Sequence, residues 1–262
     1  VRIARFSVDD EPKYGLVETD DPEGLVGTVA VLDSDPLYRP VKLTGETLQL
    51  ADVRLLAPVI PRSKVVCVGR NYADHAAELG NDVPAEPMIF LKPNTSVIGP
   101  RDGIVYPEQT NNLHFEGELA IVIGRICRDL PRERAEEVIF GYTIANDVTA
   151  RDLQKTDGQW ARAKGYDTFC PLGPWITTDL DVSDVRVSTE VNGEPKQDGR
   201  TSQFIFDIPE VLAYITSFTT LLPGDVVLTG TPAGVGPMLP GDEVAVSVEG
   251  IGTLTNKVIV RD

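Results

Sequence analysis

The chain has 262 residues, 42% of them hydrophobic and 24% charged, with 23 glycines and 20 prolines. That composition suits one large soluble globular domain, or a large one with a small satellite, and excludes disordered and collagen-like chains. Lysine and arginine total 24 against 40 aspartates and glutamates, a net charge of −16 that argues against nucleic acid and anionic membranes as partners.

Residues 1–60 read as a small β-rich subdomain in which RIARFSV, YGLVET and GLVGTVAVL are separated by the acidic turns DDEPK and TDDPEG. The early charges sit where a signal peptide would be apolar, and no apolar run reaches the ~20 residues of a membrane span, so the expected compartment is the cytoplasm. The connector APVIPRS, with two prolines, leads into a second unit over 61–262. There KVVCVG reads as a buried strand, NYADHAAELG as a short helix closed by Gly80, and EPMIFLKP as another strand. ELAIVIG alternates as a strand, PRERAEEVIF reads as a helix starting on a proline, and YTIANDV as a further strand. RVSTEVNGEPKQ is a strand entering an Asn-Gly turn, and DIPEVLAYITSFTT is an amphipathic helix. DVVLTG, EVAVSVEG and TLTNKVIV are strands, so the predicted class is α+β, dominated by strands, with no internal repeat.

The three cysteines, Cys67, Cys127 and Cys170, match neither a disulfide framework nor zinc spacing and read as buried fillers in a reducing compartment. With only two histidines, His75 and His114, any metal site must lean on carboxylates, which points to Mg²⁺, Mn²⁺ or Ca²⁺. In HFEGELAIVIG, strand alternation puts Glu116 and Glu118 on one side, either converging on a cation or forming a solvated strand face. Asp147 ends an apolar, β-branched segment, where it is either a further cation ligand or the N-cap of the turn beginning at Val148. His75 and Glu78, three apart on a helix, form either a general-base dyad or an incidental surface pair. His114 reads as structural. LTGTPAGVGPMLPGD lacks both P-loop and dinucleotide-binding spacing, leaving a turn whose amides and Thr231 hydroxyl face a small anionic ligand. Lys164, Arg151 and Gln154 are candidate donors to carboxylates.

Together KVVCVGRNYADHAAELG, EPMIFLKPNTSVIGP, HFEGELAIVIG, ANDVTARDLQ, ARAKGYDTFCPLGPW, VNGEPKQDGRTSQFIF and GDVVLTGTPAGVGP resemble, in order, the fumarylacetoacetate hydrolase (FAH) family over Lys64 to Val260. The resemblance implies an FAH-like mixed β-roll behind a small N-terminal β-domain, in a homodimer. It implies a divalent cation, Mg²⁺ or Mn²⁺ before Ca²⁺, on Glu116, Glu118 and Asp147, with VVCVG offering no further ligand. It places Arg70, Arg151, Gln154, Lys164 and Thr231 against the substrate, and His75, Glu78 and Lys164 in catalysis. The implied substrates are small 2-oxo dicarboxylates or acylpyruvates, cleaved by acylpyruvate hydrolysis or oxaloacetate decarboxylation. The alternative is isomerisation of 2-hydroxyhepta-2,4-diene-1,7-dioate; a non-catalytic cation-binding relative is a lesser one.

Overall fold

The computed structural model describes residues 1–78 and 83–261, and strands dominate it. One sheet runs, in spatial order, through Leu43–Gln49, Thr28–Leu32, Glu11–Glu18, Arg2–Val8 and Cys170–Thr177. It continues through Ile139–Asn146, Gly117–Ile123, Val226–Leu228, Val65–Gly69 and Met88–Lys92. A second sheet joins Glu194–Arg200, Arg186–Val191, Glu243–Val248, Gly252–Ile259 and Gly103–Val105. A small third sheet, Thr149–Ala150, Leu113–Phe115 and Gly236–Pro237, sits where the chain enters the central strand.

Apolar side chains explain this layering. Gly117–Ile123 is buried at every position, as its uninterrupted LAIVI run requires of a strand covered on both faces. Its neighbour Ile139–Asn146 pairs with it from Gly117↔Asn146 to Ile123↔Ile139, which brings Glu116 and Asp147 to the same end. The hairpin at VNGE forms with Asn192 at φ 53° and Gly193 at φ 77°, the left-handed pair that an Asn-Gly turn supplies. Helix Ile208–Phe218 starts on Asp207, whose carboxylate accepts from the Glu210 N–H at 2.9 Å.

The N-terminal strands share the large sheet with the rest of the chain, because Arg2 and Ile3 pair with Thr177 and Ile176. The exposed strand Leu43–Gln49 at its edge has no alternating apolar pattern and escaped the sequence reading. PRERAEEVIF is not an α-helix. Residues Arg132–Val138 form a 3₁₀ turn, with Ala135 and Val138 buried three apart to match its period, and Ile139 and Phe140 already belong to the strand. The short helix after the Val65–Gly69 strand spans Ala73–Glu78, and the predicted stop at Gly80 lies outside the described residues. Among the described residues, no helix is long and apolar enough to cross a membrane.

Candidate active site

Two sheets meet at Glu116. The chain leaves the small sheet at Phe115 and joins the large one at Gly117, leaving Glu116 at the crossing and Glu118 one residue into the central strand. Both carboxylates, with Asp147 just past the neighbouring strand, line a cavity of about 390 Å³. They are 4%, 2% and 1% exposed, so their charges must be answered by protein groups or a bound cation.

The answering groups are unevenly shared. Glu116 accepts from Arg151 at 2.5 Å and Lys164 at 2.8 Å. Asp147 accepts from Lys92 at 2.5 Å and Lys164 at 2.7 Å. Glu118 has the Gly230 N–H at 2.7 Å and, among the described residues, no cationic partner. Burial raises the Glu118 pKa well above its ordinary value, and Asp147 and Glu116 push it further. Burial acts the same way on Glu116, but Lys164 and Arg151 overcome it and hold that carboxyl low. Burial disfavours the Lys164 ammonium too, yet Asp147 and Glu116 raise its pKa and keep it charged.

One carboxylate oxygen from each acid lies within 4.8 Å of the others. An all-oxygen donor set suits a hard divalent cation, and Glu118 is the acid of the three with no ion-pair partner among the described residues. The titration gives a test. Above pH about 4.5, the ordinary carboxyl value, native Glu118 binds more proton than unfolded Glu118, so cation-free stability falls as pH rises toward the raised native pKa. Glu116 works in the opposite sense, losing stability as pH falls below that ordinary value. Mn²⁺ binding at pH values below the raised Glu118 pKa should therefore expel a proton, measurable by calorimetry in buffers of different ionisation enthalpy across a pH series. Binding without proton release would show Glu118 already ionised.

In the same cavity, the short helix Ala73–Glu78 carries His75, whose Nδ1 lies 3.5 Å from Glu78 Oε2. Burial lowers the His75 pKa, Glu116 and Glu78 pull it up and Arg151 pushes it down; the net effect favours neutral imidazole. Glu78 also accepts from the Gly234 N–H at 3.1 Å. Arg70 enters this helix from a left-handed backbone conformation, φ 58°, uncommon for a residue with a side chain. Arg151 donates to Gln154 at 2.7 Å within helix Arg151–Thr156. That helix begins after Ala150 without a side-chain cap, and the Asp147 carboxylate turns toward the two lysines instead.

All of the sequence-predicted residues, Arg70, His75, Glu78, Glu116, Glu118, Asp147, Arg151, Gln154, Lys164 and Thr231, line this one cavity. The glycine-rich turn differs in detail: its Gly230 and Gly234 amides serve the protein's own carboxylates, Glu118 and Glu78. Thr231 Oγ1 gives its one proton to the Gly117 carbonyl at 2.8 Å and accepts from Gln197. His114 does not line the cavity; its Nε2 meets Asn112 Oδ1 at 2.9 Å, and burial takes its pKa down to about 4. The cysteines are buried and free, and burial pushes the Cys170 thiol up to about 12. Lys92 was missed, although a lysine closing the apolar strand IFLK signals a buried cation in need of an acid.

Comparison with known proteins places this geometry. Residues 64–259 match the family model for the fumarylacetoacetate (FAA) hydrolase C-terminal domain, and residues 1–58 match one for an Rv2993c-like N-terminal domain. The structure of a 5-carboxymethyl-2-hydroxymuconate delta-isomerase from Mycobacterium smegmatis covers 100% of both chains at 52% identity and a TM-score of 0.91. Human mitochondrial oxaloacetate tautomerase FAHD2A is 42% identical, over 81% of this chain and 71% of its own. Fumarylpyruvate hydrolase from Pseudomonas aeruginosa, in complex with Mn²⁺ and pyruvate, superposes with a TM-score of 0.73 and 37% identity, over 77% of this chain and 91% of its own. An enzyme fold matched along its full length, with buried acids at the meeting of its sheets, makes this chain a member of the fumarylacetoacetate hydrolase family.

Proposed function

We propose that the protein is a divalent-cation-dependent enzyme that cleaves a C–C bond in small enolisable 2-oxo acids, by acylpyruvate hydrolysis or oxaloacetate decarboxylation. The observation that carries this reading is charge. Glu116, Glu118 and Asp147 line the cavity with Lys164 and Arg151, while Lys92, outside the cavity lining, pairs with Asp147. With all three acids ionised these charges cancel, so a divalent cation leaves two positive charges, matched by the two carboxylates of a 2-oxo dicarboxylate.

Held by Glu116, Glu118 and Asp147, Mg²⁺ or Mn²⁺ would supply Lewis acidity to the carboxylate and keto oxygens of the substrate, favouring its enolate. The chain supplies the rest. Arg151 and Gln154 present a guanidinium and an amide for the substrate carboxylate, with Arg70 beside them in the cavity wall. The Lys164 ammonium, central between Glu116 and Asp147, faces developing negative charge. Glu78 on the Nδ1 side of His75 leaves Nε2 to take a proton from water. That water attacks the distal carbonyl, the C–C bond breaks with its electron pair going to C3, and His75 returns the proton there. Decarboxylation needs no such water.

A second reading is favoured by the full-length likeness to the M. smegmatis isomerase and by the human tautomerase: proton transfer at C3 without cleavage. Purified protein with Mn²⁺, and again with excess chelator, is to be assayed on oxaloacetate, acetylpyruvate, fumarylpyruvate and 2-hydroxyhepta-2,4-diene-1,7-dioate. We expect cation-dependent cleavage of the first three, with a lower KM for dianionic fumarylpyruvate than for acetylpyruvate. Activity on the last alone makes the protein an isomerase, and cation binding without turnover makes it a non-catalytic relative. The homodimer implied by the resemblance, and the cytoplasmic setting expected from the charged N-terminal stretch and the lack of an apolar span, belong to this same proposal.

A further inference from the structure

The segment VNGEPKQDGRTSQFIF contributes no side chain to the cavity, yet its strand Glu194–Arg200 packs behind the turn that carries Thr231. Gln197, 2% exposed, is the point of contact. Its Oε1 accepts from the Gly117 N–H at 2.9 Å and from Thr189 Oγ1 at 2.8 Å. Its Nε2 donates to Thr231 Oγ1 at 2.8 Å and to the Pro232 carbonyl at 2.7 Å. A glutamine amide has two donors and two acceptor lone pairs, and all four are used.

The partners are not incidental. Gly117 is the peptide between Glu116 and Glu118, and its carbonyl takes the Thr231 proton while its N–H binds Gln197. Gly117, Gln197 and Thr231 thus form a closed ring linking the acidic strand to the turn. The same turn gives the Gly230 N–H to Glu118 and the Gly234 N–H to Glu78. The approach is too close for side chains at two points. A Cβ on Gly117 would collide with Thr189 Oγ1, and one on Gly234, held at φ +99°, with the Lys196 carbonyl oxygen.

We infer that Gln197 is a positioning residue of the site, holding the Glu116–Glu118 peptide in register with the 230–234 turn and so with Glu78. It touches neither substrate nor cation; it acts through Gly117 and Thr231. The inference rests on the proposed cation site.

The test compares wild type, Gln197→Leu, Gln197→Glu and Thr189→Val, each checked by thermal melting. Mn²⁺ affinity is read by calorimetry, and KM and kcat with fumarylpyruvate. Gln197→Leu should weaken Mn²⁺ binding by ~10–100-fold, the range for partners that orient ligands from behind. Thr189→Val removes one contact of the same amide but spares the ring, and should lower the melting temperature alone. Gln197→Glu keeps an acceptor for the Gly117 N–H and cannot donate to both Thr231 and Pro232, so it should recover most of the Mn²⁺ affinity lost in Gln197→Leu, while KM in both variants rises above the wild-type value. Wild-type Mn²⁺ affinity and KM in a folded Gln197→Leu protein would overturn the inference. If that variant does not fold, a wild-type KM in Gln197→Glu does so instead. Mn²⁺ binding without turnover sinks the proposed reaction but leaves Gln197 to be judged by affinity; no Mn²⁺ binding by wild type overturns both.

Discussion

Asp147→Ala lowers the unfolding free energy of the cation-free protein by about 3–5 kcal/mol and abolishes Mn²⁺ binding, as measured by denaturant titration and calorimetry. The Asp147 carboxylate lies between the Lys92 and Lys164 ammonium groups, all three essentially out of water. Lys164 keeps Glu116 after the change, but among the described residues Lys92 keeps only the Val148 carbonyl at 3.2 Å. An uncompensated buried ammonium, rather than the lost contact itself, sets the size of the effect. Replacing both members, Lys92→Met with Asp147→Leu, should therefore regain most of the stability and none of the Mn²⁺ binding. A single Asp147→Ala variant that unfolds at the wild-type midpoint would show that these ion pairs contribute nothing.

His75→Ala should lower kcat by ~10²–10⁴-fold, the usual contribution of a positioned general base, while leaving Mn²⁺ affinity unchanged. The imidazole lines the same cavity but is not one of the three oxygen donors, so the two measurements separate. Burial takes its pKa below 6.5, so the base form persists at mildly acidic pH, and the low-pH limb of kcat/KM should fall below that value. Glu78 is among the groups that raise this pKa, so Glu78→Gln should move the limb further down. Wild-type cleavage by His75→Ala would remove histidine from the mechanism.

What was legible in the sequence was what local spacing controls. Glu116 and Glu118 share a wall because they lie two apart at a strand entrance, and His75 with Glu78 because they share a helix turn. The Asn-Gly hairpin and the Asp207 cap were equally local. What escaped depends on partners far along the chain. Lys92 meets Asp147 across 55 residues, and Gln197 meets Gly117 across 80, from another sheet. Alternatives left open by spacing closed only in three dimensions: Asp147 turned to lysines rather than to a helix end, and the acidic pair proved buried rather than solvated. Residues Arg132–Val138 misled because proline followed by charged helix formers is common to α- and 3₁₀-helices, and the strand that starts at Ile139 stops the α form from extending.

The pairing of Arg2 and Ile3 with Thr177 and Ile176 sets a schedule for biosynthesis. At translation rates of ~5–20 residues per second, the first strand leaves the ribosome roughly 10–35 s before its partner exists. Within about 50 residues Arg54–Leu56 can cover Arg5–Ser7 on its free flank, while Glu11–Glu18 and Thr28–Leu32 pair on the other side, so through the rest of the interval only the Arg2–Ile3 end waits for its partner. Unpaired strand edges are where nascent chains associate wrongly. The acidic residues between these strands, Asp9, Asp10, Glu11, Asp20 and Asp21, place like charge beside those edges, which hinders pairing with a second nascent chain while the ribosome completes the sheet.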